Sequence, residues 1–341
     1  MPGLDAGDEW TVENSGGMDY YAMGLGLTAG LMLFLLGVGM MSDGLKAVAG
    51  DRMKSVLARF TSNRLAGVAT GAAVTTVLDS SSATTIMVVG LVDAGLLELS
   101  QALGVILGAN IGTTVSSQLI ASDVMQYAPI ALLVGFLMRS LTKGETWPQV
   151  GAIVLGLGLV FFGLDHMEEA TRPLRDHEPF LALMRRMENP LLGVAAGAVF
   201  TAVIASSSAM VGIIIVMAGN GAITLPAALA LMMGAEIGTC ADTLLATAGR
   251  SRAAVRAGVF QLIFNVCSVL LWIAFTRQMA QIATSITPGD DIKRQIANAH
   301  VLFNVSSVLV FLPFIRTVSG LVERIIPDGK GSKPEQTEAQ S

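Results

Sequence analysis

The sequence predicts an all-α integral membrane protein made of two inverted-topology repeats, each holding a re-entrant helical hairpin. Three observations carry that prediction. Of the 341 residues, 52% are hydrophobic and only 14% charged, with a mean hydropathy of +0.64; a soluble domain carries about 25% charged residues. Residues 63–114 align without a gap with residues 189–240, Asn63 matching Asn189 at an offset of 126, with about 22 identities in 52 positions. Each copy interrupts an apolar run with a serine triplet, TTVLDSSSATT from Thr75 to Thr85 and TAVIASSSAMV from Thr201 to Val211. About 28 residues later each has a glycine-broken polar signature, GANIGTT from Gly108 and GAEIGTC from Gly234. Unwound polar segments repeated inside hydrophobic sequence are the mark of a transporter binding site.

The elements follow in chain order. Residues 1–20 are acidic and glycine-rich (Asp5, Asp8, Glu9, Glu13) and read as a disordered tail. Repeat 1 spans 24–145, repeat 2 spans 149–276, a final transmembrane helix covers 290–320, and 327–341 is a second disordered tail. Apolar segments long enough to cross a bilayer fall at roughly 24–45, 99–120, 126–142, 149–165, 226–248, 254–276 and 295–319. The first is too long, and begins too late, for a cleaved signal peptide, and its Gly37 matches Gly163 of the second repeat. Charged stretches, Lys46 to Arg64 and His166 to Glu188, are expected at the membrane surface. The triplet segments 65–92 and 191–218 have about 14 residues before the serines and about 10 after. Neither arm spans about 30 Å at 1.5 Å per residue, so each is expected to turn back with its serines at the tip.

Counting crossings gives the inversion. Three full crossings separate the first helix from its repeat partner, an odd number, so the second repeat is upside down relative to the first. Basic residues set the orientation. Lys46, Arg52, Lys54, Arg59, Arg64, Arg139, Lys143, Arg250, Arg252, Arg256, Arg316, Arg324, Lys330 and Lys333 fall on one side. The other receives Arg172, Arg175, Arg185, Arg186, Arg277, Lys293 and Arg294, interleaved with acids. The first side is expected to be cytoplasmic, with the amino terminus outside, the carboxyl terminus inside, and the protein in the cytoplasmic (inner) membrane. The hairpins then enter from opposite faces and meet near the midplane.

The triplets Ser80, Ser81, Ser82 and Ser206, Ser207, Ser208 suit an anion. If the second arm of each hairpin starts at them, its free N–H groups and positive dipole end face the membrane centre. Serine hydroxyls add donors without charge, and the triplet segments contain no arginine or lysine, which suits a site that must release its ligand. Two intramembrane acids stand nearby, Asp79 before the first triplet and Glu236 in the second signature, where the other copies have Ala205 and Asn110. A carboxylate at that depth is costly and marks function. Sodium takes several hard oxygen ligands, and Asp79, Thr75, Asn110, Thr113, Thr114, Thr201, Glu236 and Thr239 form the pool; the alternative is that one acid carries a coupling proton. Asn265 and Asn304, in two related late helices, read as interhelical bonds that could support the site. His300 reads as a packing histidine, and Cys240 and Cys267 as small buried hydrophobes. No hydrolase triad or metal cluster is seen in the pattern, so enzymatic activity is not expected, nor a resident cofactor, nor nucleic-acid binding.

These residues carry a resemblance. The paired segments TTVLDSSSA and TAVIASSSA, GANIGTT, RAAVRAGVFQLIFN from Arg252 and QIANAHVLFN from Gln295 resemble the type II sodium/phosphate cotransporter family over about residues 24–319. The resemblance implies symport of inorganic phosphate with Na⁺ through two inverted repeats, with the triplets and Asn110 at the phosphate and the acid and threonine pool at sodium. Phosphate, Na⁺ and membrane lipid are the implied partners, and a homodimer is left open. Three positions depart from the family's pattern. Asp79 and Ala205 stand where it has glutamine, and Glu236 where asparagine is usual. An acid beside an anion site repels phosphate until a cation or proton neutralises it, which is itself a coupling mechanism. The rival readings are another oxyanion, proton coupling, or a phosphate sensor that does not transport.

Overall fold

In a computed structural model the protein is described over residues 20–61, 63–122 and 126–327, with only the backbone of 20, 49–53 and 58. The two expected tails, Lys330, Lys333 and the Arg52 side chain lie outside what is described. The described residues form α-helices and short 3-10 segments, with no strand. Repeat 1 comprises α1 (Tyr20–Arg59), α2 (Arg64–Leu78), α3 (Ser81–Asp93), α4 (Leu99–Gly112), α5 (Thr114–Ile120) and α6 (Ala128–Leu141). Repeat 2 follows with α7 (Trp147–Thr171), α8 (Glu178–Arg186), α9 (Pro190–Ile204), α10 (Ser207–Gly219), α11 (Leu225–Gly238), α12 (Cys240–Ala246) and α13 (Arg252–Ile273). The chain continues through α14 (Thr276–Ser285), α15 (Ile292–Phe311) and α16 (Ile315–Ile325).

Helix ends sit where local chemistry puts them. Asn63 caps α2 by accepting from the Ala66 N–H at 2.9 Å, and Asn189 caps α9 by accepting from Leu191 at 3.1 Å, with Pro190 at the first turn. The matched helices α2–α5 and α9–α12 start and stop at equivalent residues. α1 departs from the expected pattern. It runs unbroken for 40 residues through the charged stretch, whereas the matching stretch of repeat 2 breaks into a 3-10 turn and α8 at Pro173 and Pro179, because proline lacks the N–H that continues a helix.

Among the described residues six segments are long and apolar enough to cross a membrane: Tyr21–Val48, Leu99–Ile120, Trp147–Asp176, Leu225–Ala246, Arg252–Ile273 and Ile292–Ile325. The seventh expected span, 126–142, is the shorter α6. Its 14 residues rise about 21 Å, and it lies antiparallel along α7, with Gly135 against Leu155 and Gly151 against Arg139. Its other face leaves Ile130, Leu133, Phe136 and Leu137 exposed, as lipid-facing side chains are.

Close helix crossings fix the relative directions. Within repeat 1, Gly104 meets Arg64, Gly108 meets Val68 and Gly112 meets Ala72, so α2 and α4 run parallel. The chain between them must therefore run back, and α3 makes the return: α2 and α3 form a helical hairpin. Repeat 2 does the same, with α9 parallel to α11. At these crossings a Cβ on Gly71 would lie 2.1 Å from the Val105 carbonyl oxygen, and one on Gly197 would lie 2.1 Å from that of Leu231. The long helices α1 and α7 run antiparallel, with Gly30 against Gly163 and Gly37 against Gly156. α13 packs on α3, α4 and α12, and α15 on the matching α10, α11 and α5.

Candidate functional site

Both hairpin tips have the same backbone. α2 ends at Asp79 (φ 52°) and α9 at Ala205 (φ 57°), the two non-glycine residues with positive φ among those described. The next residue is an extended N-cap: Ser80 accepts from the Ala83 N–H at 3.0 Å, and Ser206 from the Ala209 N–H at 3.2 Å. Left-handed backbone costs an L-residue about 1–2 kcal/mol, and it is retained at both tips because the turn there must reverse the chain within two residues. Ser81, Ser82, Ser207 and Ser208 then occupy the first helical positions, whose N–H groups have no intrahelical acceptor.

The two tips converge. All six triplet serines line one cavity of about 280 Å³, together with Asp79, Ala205, Ile204 and Thr239. Its remaining wall is a face of α1, from Leu35 and Val38 through Gly39 and Ser42 to Asp43 and Lys46. Ser81 and Ser207 are buried, and Ser82 shares a 3.1 Å hydrogen bond with the Thr239 hydroxyl. Two helix N-termini and six hydroxyls around one small cavity are groups able to donate to a compact oxyanion, with the Asp79 carboxylate in the same wall.

The acids are arranged less symmetrically. Asp79 accepts a hydrogen bond from the Ser116 hydroxyl of α5. It also borders a second cavity, of about 250 Å³, that includes Thr76, Ser116 and Ser208 among apolar side chains. At the repeat position of Ser116 stands Asp242, whose carboxylate accepts at 2.6 Å from the Thr243 N–H. Sequence reasoning missed Asp242. The signal was present as an acid within the Leu225–Ala246 span.

Other expected site residues lie outside the serine cavity. Thr75 donates to Thr84 at 2.8 Å, Thr113 to the Asn110 carbonyl at 2.8 Å, and Thr114 to the Ile111 carbonyl at 2.8 Å. The Asn110 amide donates to the Ile106 carbonyl at 2.8 Å, while its Oδ1 and the Thr201 hydroxyl are buried without a hydrogen-bond partner. Glu236 faces α15: its Oε1 is 2.8 Å from His300 Nε2, and His300 Nδ1 is 2.6 Å from the Ser117 hydroxyl. His300, expected only to pack, thus joins a fully buried polar chain linking α5, α15 and α11. Asn265 donates to the Glu236 carbonyl at 2.6 Å, an interhelical bond as expected, whereas Asn304 donates at 3.1 Å to the His300 carbonyl within its own helix.

The profile of the Na⁺/Pi-cotransporter family matches residues 33–169 and 177–288. The chain is 31% identical over 279 residues to the uncharacterised protein YqeW of Bacillus subtilis, covering 82% of this chain and 90% of that relative. It is 27% identical over 258 residues to YjbB of Escherichia coli K12, whose name proposes inorganic phosphate export. That match covers 75% of this chain and 48% of YjbB, so the chain spans about half of that relative's length. A shorter match, 37% over 99 residues, joins 28% of the chain to 15% of the sodium-dependent phosphate transport protein 2A of Mus musculus. No solved structure matches the chain. With the family profile covering most of its length and six helices fit to cross a bilayer, this multi-pass membrane protein belongs to the Na⁺/Pi-cotransporter family, a family of phosphate transporters and not of enzymes.

Proposed function

We propose that the chain carries inorganic phosphate across the cytoplasmic membrane by symport with Na⁺. The observation that carries this reading is the meeting of both serine triplets in one cavity. Phosphate sits between the two helix starts, held by Ser80, Ser81, Ser82, Ser206, Ser207 and Ser208. Sodium binds at Asp79 and Thr239 on the cavity wall, with Thr75, Thr113, Thr114 and Thr201 behind them. The unpartnered oxygens of Asn110 and Thr201 favour an oxygen-ligated cation. Glu236 keeps the His300 bond and acts from outside the cavity, with Asn265 and Asn304 in support.

The antiparallel run of α1 and α7 supports an inverted repeat, with the two hairpins re-entering from opposite faces. The amino terminus is then outside and the carboxyl terminus cytoplasmic. Alternating access follows when the α1–α7 pair moves against the hairpins. YjbB's name favours a second reading, net export, which the same machinery performs when the driving gradient is reversed.

The test is uptake of radiolabelled phosphate into proteoliposomes, with an inward Na⁺ gradient set against a matched K⁺ gradient. Accumulation above equilibrium only with Na⁺ is expected. Equal accumulation with both cations overturns sodium coupling, and no phosphate entry overturns the substrate.

A further inference from the structure

We infer that Lys46 is the positioning cation at the mouth of the phosphate cavity, drawing the anion toward the serine caps and exchanging between it and Asp43. The inference rests on the phosphate reading and adds a residue that the motifs do not contain. The residues Leu35, Val38, Gly39, Ser42, Asp43 and Lys46 recur at helical spacing, so one face of α1 turns to the cavity. That face grades from apolar to hydroxyl to charged along the helix. A Cβ on Gly39 would meet nothing within 4 Å, so the wall is open at its middle.

The serine caps bring donors but no formal charge, and both Asp79 and Asp43 oppose an anion. Among the described residues lining the cavity Lys46 alone is basic. Its Nζ is 3.6 Å from Asp43 Oδ1, and the two side chains are 49% and 81% exposed. An exposed pair at that separation is weak, so a phosphate with more negative charge and better acceptors takes the ammonium from Asp43. On departure of the anion Asp43 takes it back, which prevents a lysine at the mouth from becoming a trap.

The matching face of α7 shows why the cation at work in this conformation is Lys46. Arg172 is its repeat counterpart, and Glu168 that of Ser42. Glu168 is tied to Lys293 at 2.7 Å, and its carbonyl accepts from Asn220 at 2.6 Å, which fastens α7 to the end of α10 and to α15. The α1 face is open to the serines where the α7 face is closed.

The experiment measures the phosphate dependence of Na⁺-driven uptake by the full chain in proteoliposomes, at low and high ionic strength. Lys46→Ala is expected to raise the phosphate KM about tenfold with maximal rate nearly unchanged, and to flatten the rise of KM with salt. Lys46→Arg should restore both, and Asp43→Asn should lower KM. A KM in Lys46→Ala equal to the parent's, or an equal loss of maximal rate in the Ala and Arg variants, overturns the inference while leaving phosphate transport intact. Absence of saturable phosphate uptake by the parent protein overturns the functional reading and this inference together.

Discussion

The two hairpin tips share a backbone and differ in charge. At Asp79 the left-handed residue is a carboxylate held by Ser116; at Ala205 it is a methyl group, and the carboxylates of that repeat stand elsewhere, at Asp242, the position of Ser116, and at Glu236. Each repeat thus pairs a hairpin tip with a short helix, and the acid has changed places between them. The six serines stand at matched positions, and so do Thr75 with Thr201 and Thr113 with Thr239, while the acids do not. Under the proposed function an oxyanion meets nearly two-fold surroundings, and a cation meets matched hydroxyls with its acid at a different place in each repeat.

The comparison predicts that changes to the shared scaffold hurt both repeats alike. Gly71→Val and Gly197→Val each force a side chain onto a backbone carbonyl oxygen that a Cβ would approach to 2.1 Å. Each should cost more than about 4 kcal/mol, in the exceptional range for single substitutions, and abolish monodisperse protein in detergent. Gly24→Ala, with nothing within 4 Å, should be neutral. A folded Gly197→Val beside an unfolded Gly71→Val would show that only one crossing supports the fold.

Changes to the exchanged acids should separate the repeats. Asp79→Asn keeps a partner for Ser116 but removes the charge, and is expected to raise the apparent sodium constant for uptake about tenfold, equivalent to about 1.4 kcal/mol, with little change in phosphate KM. Asp242→Asn, at the repeat position of Ser116, should weaken phosphate and sodium dependence together, and by less. Sodium titrations of uptake decide this. Identical profiles for the two variants would remove the asymmetry, and an unchanged Asp79→Asn would remove Asp79 from the cation site.

What could be read from the chain beforehand was what repeats. The serine caps, the hairpins and the glycine crossings each occur twice at one offset, and a local rule applied twice leaves few alternatives. What could not be read depends on packing between distant segments. Lys46 opens a charged stretch that reads as a membrane-surface segment, and Asp43 closes the apolar run before it; only the continuity of α1 brings both to the face that reaches the serines. The Glu236–His300 pair is separated by 64 residues and requires α15 to cross α11. Asp242 lies two residues beyond the aligned block 189–240, so comparison of the copies does not reach it. α6 is expected to span because its composition is apolar, and composition does not tell that the α-helix starts only at Ala128 and is 14 residues long.

The smallest expected effect tests whether the left-handed tip of repeat 2 is imposed by the fold. An aspartate tolerates that backbone because its short polar side chain bonds locally, and Asp79 has Ser116. Ala205 has no such compensation; its φ of 57° is held by the hairpin's need to reverse between α9 and the Ser206 cap. Ala205→Gly removes the Cβ penalty and adds chain entropy to the unfolded state. The net is expected to be a stabilisation of about 0.5 kcal/mol, seen as a rise of a degree or two in the detergent thermal midpoint, with phosphate KM unchanged. A lowered midpoint would mean that the Ala205 methyl packs usefully against the α1 wall. In that case the tip of repeat 2 is shaped by its side chain as much as the tip of repeat 1, and the difference between them lies in charge alone.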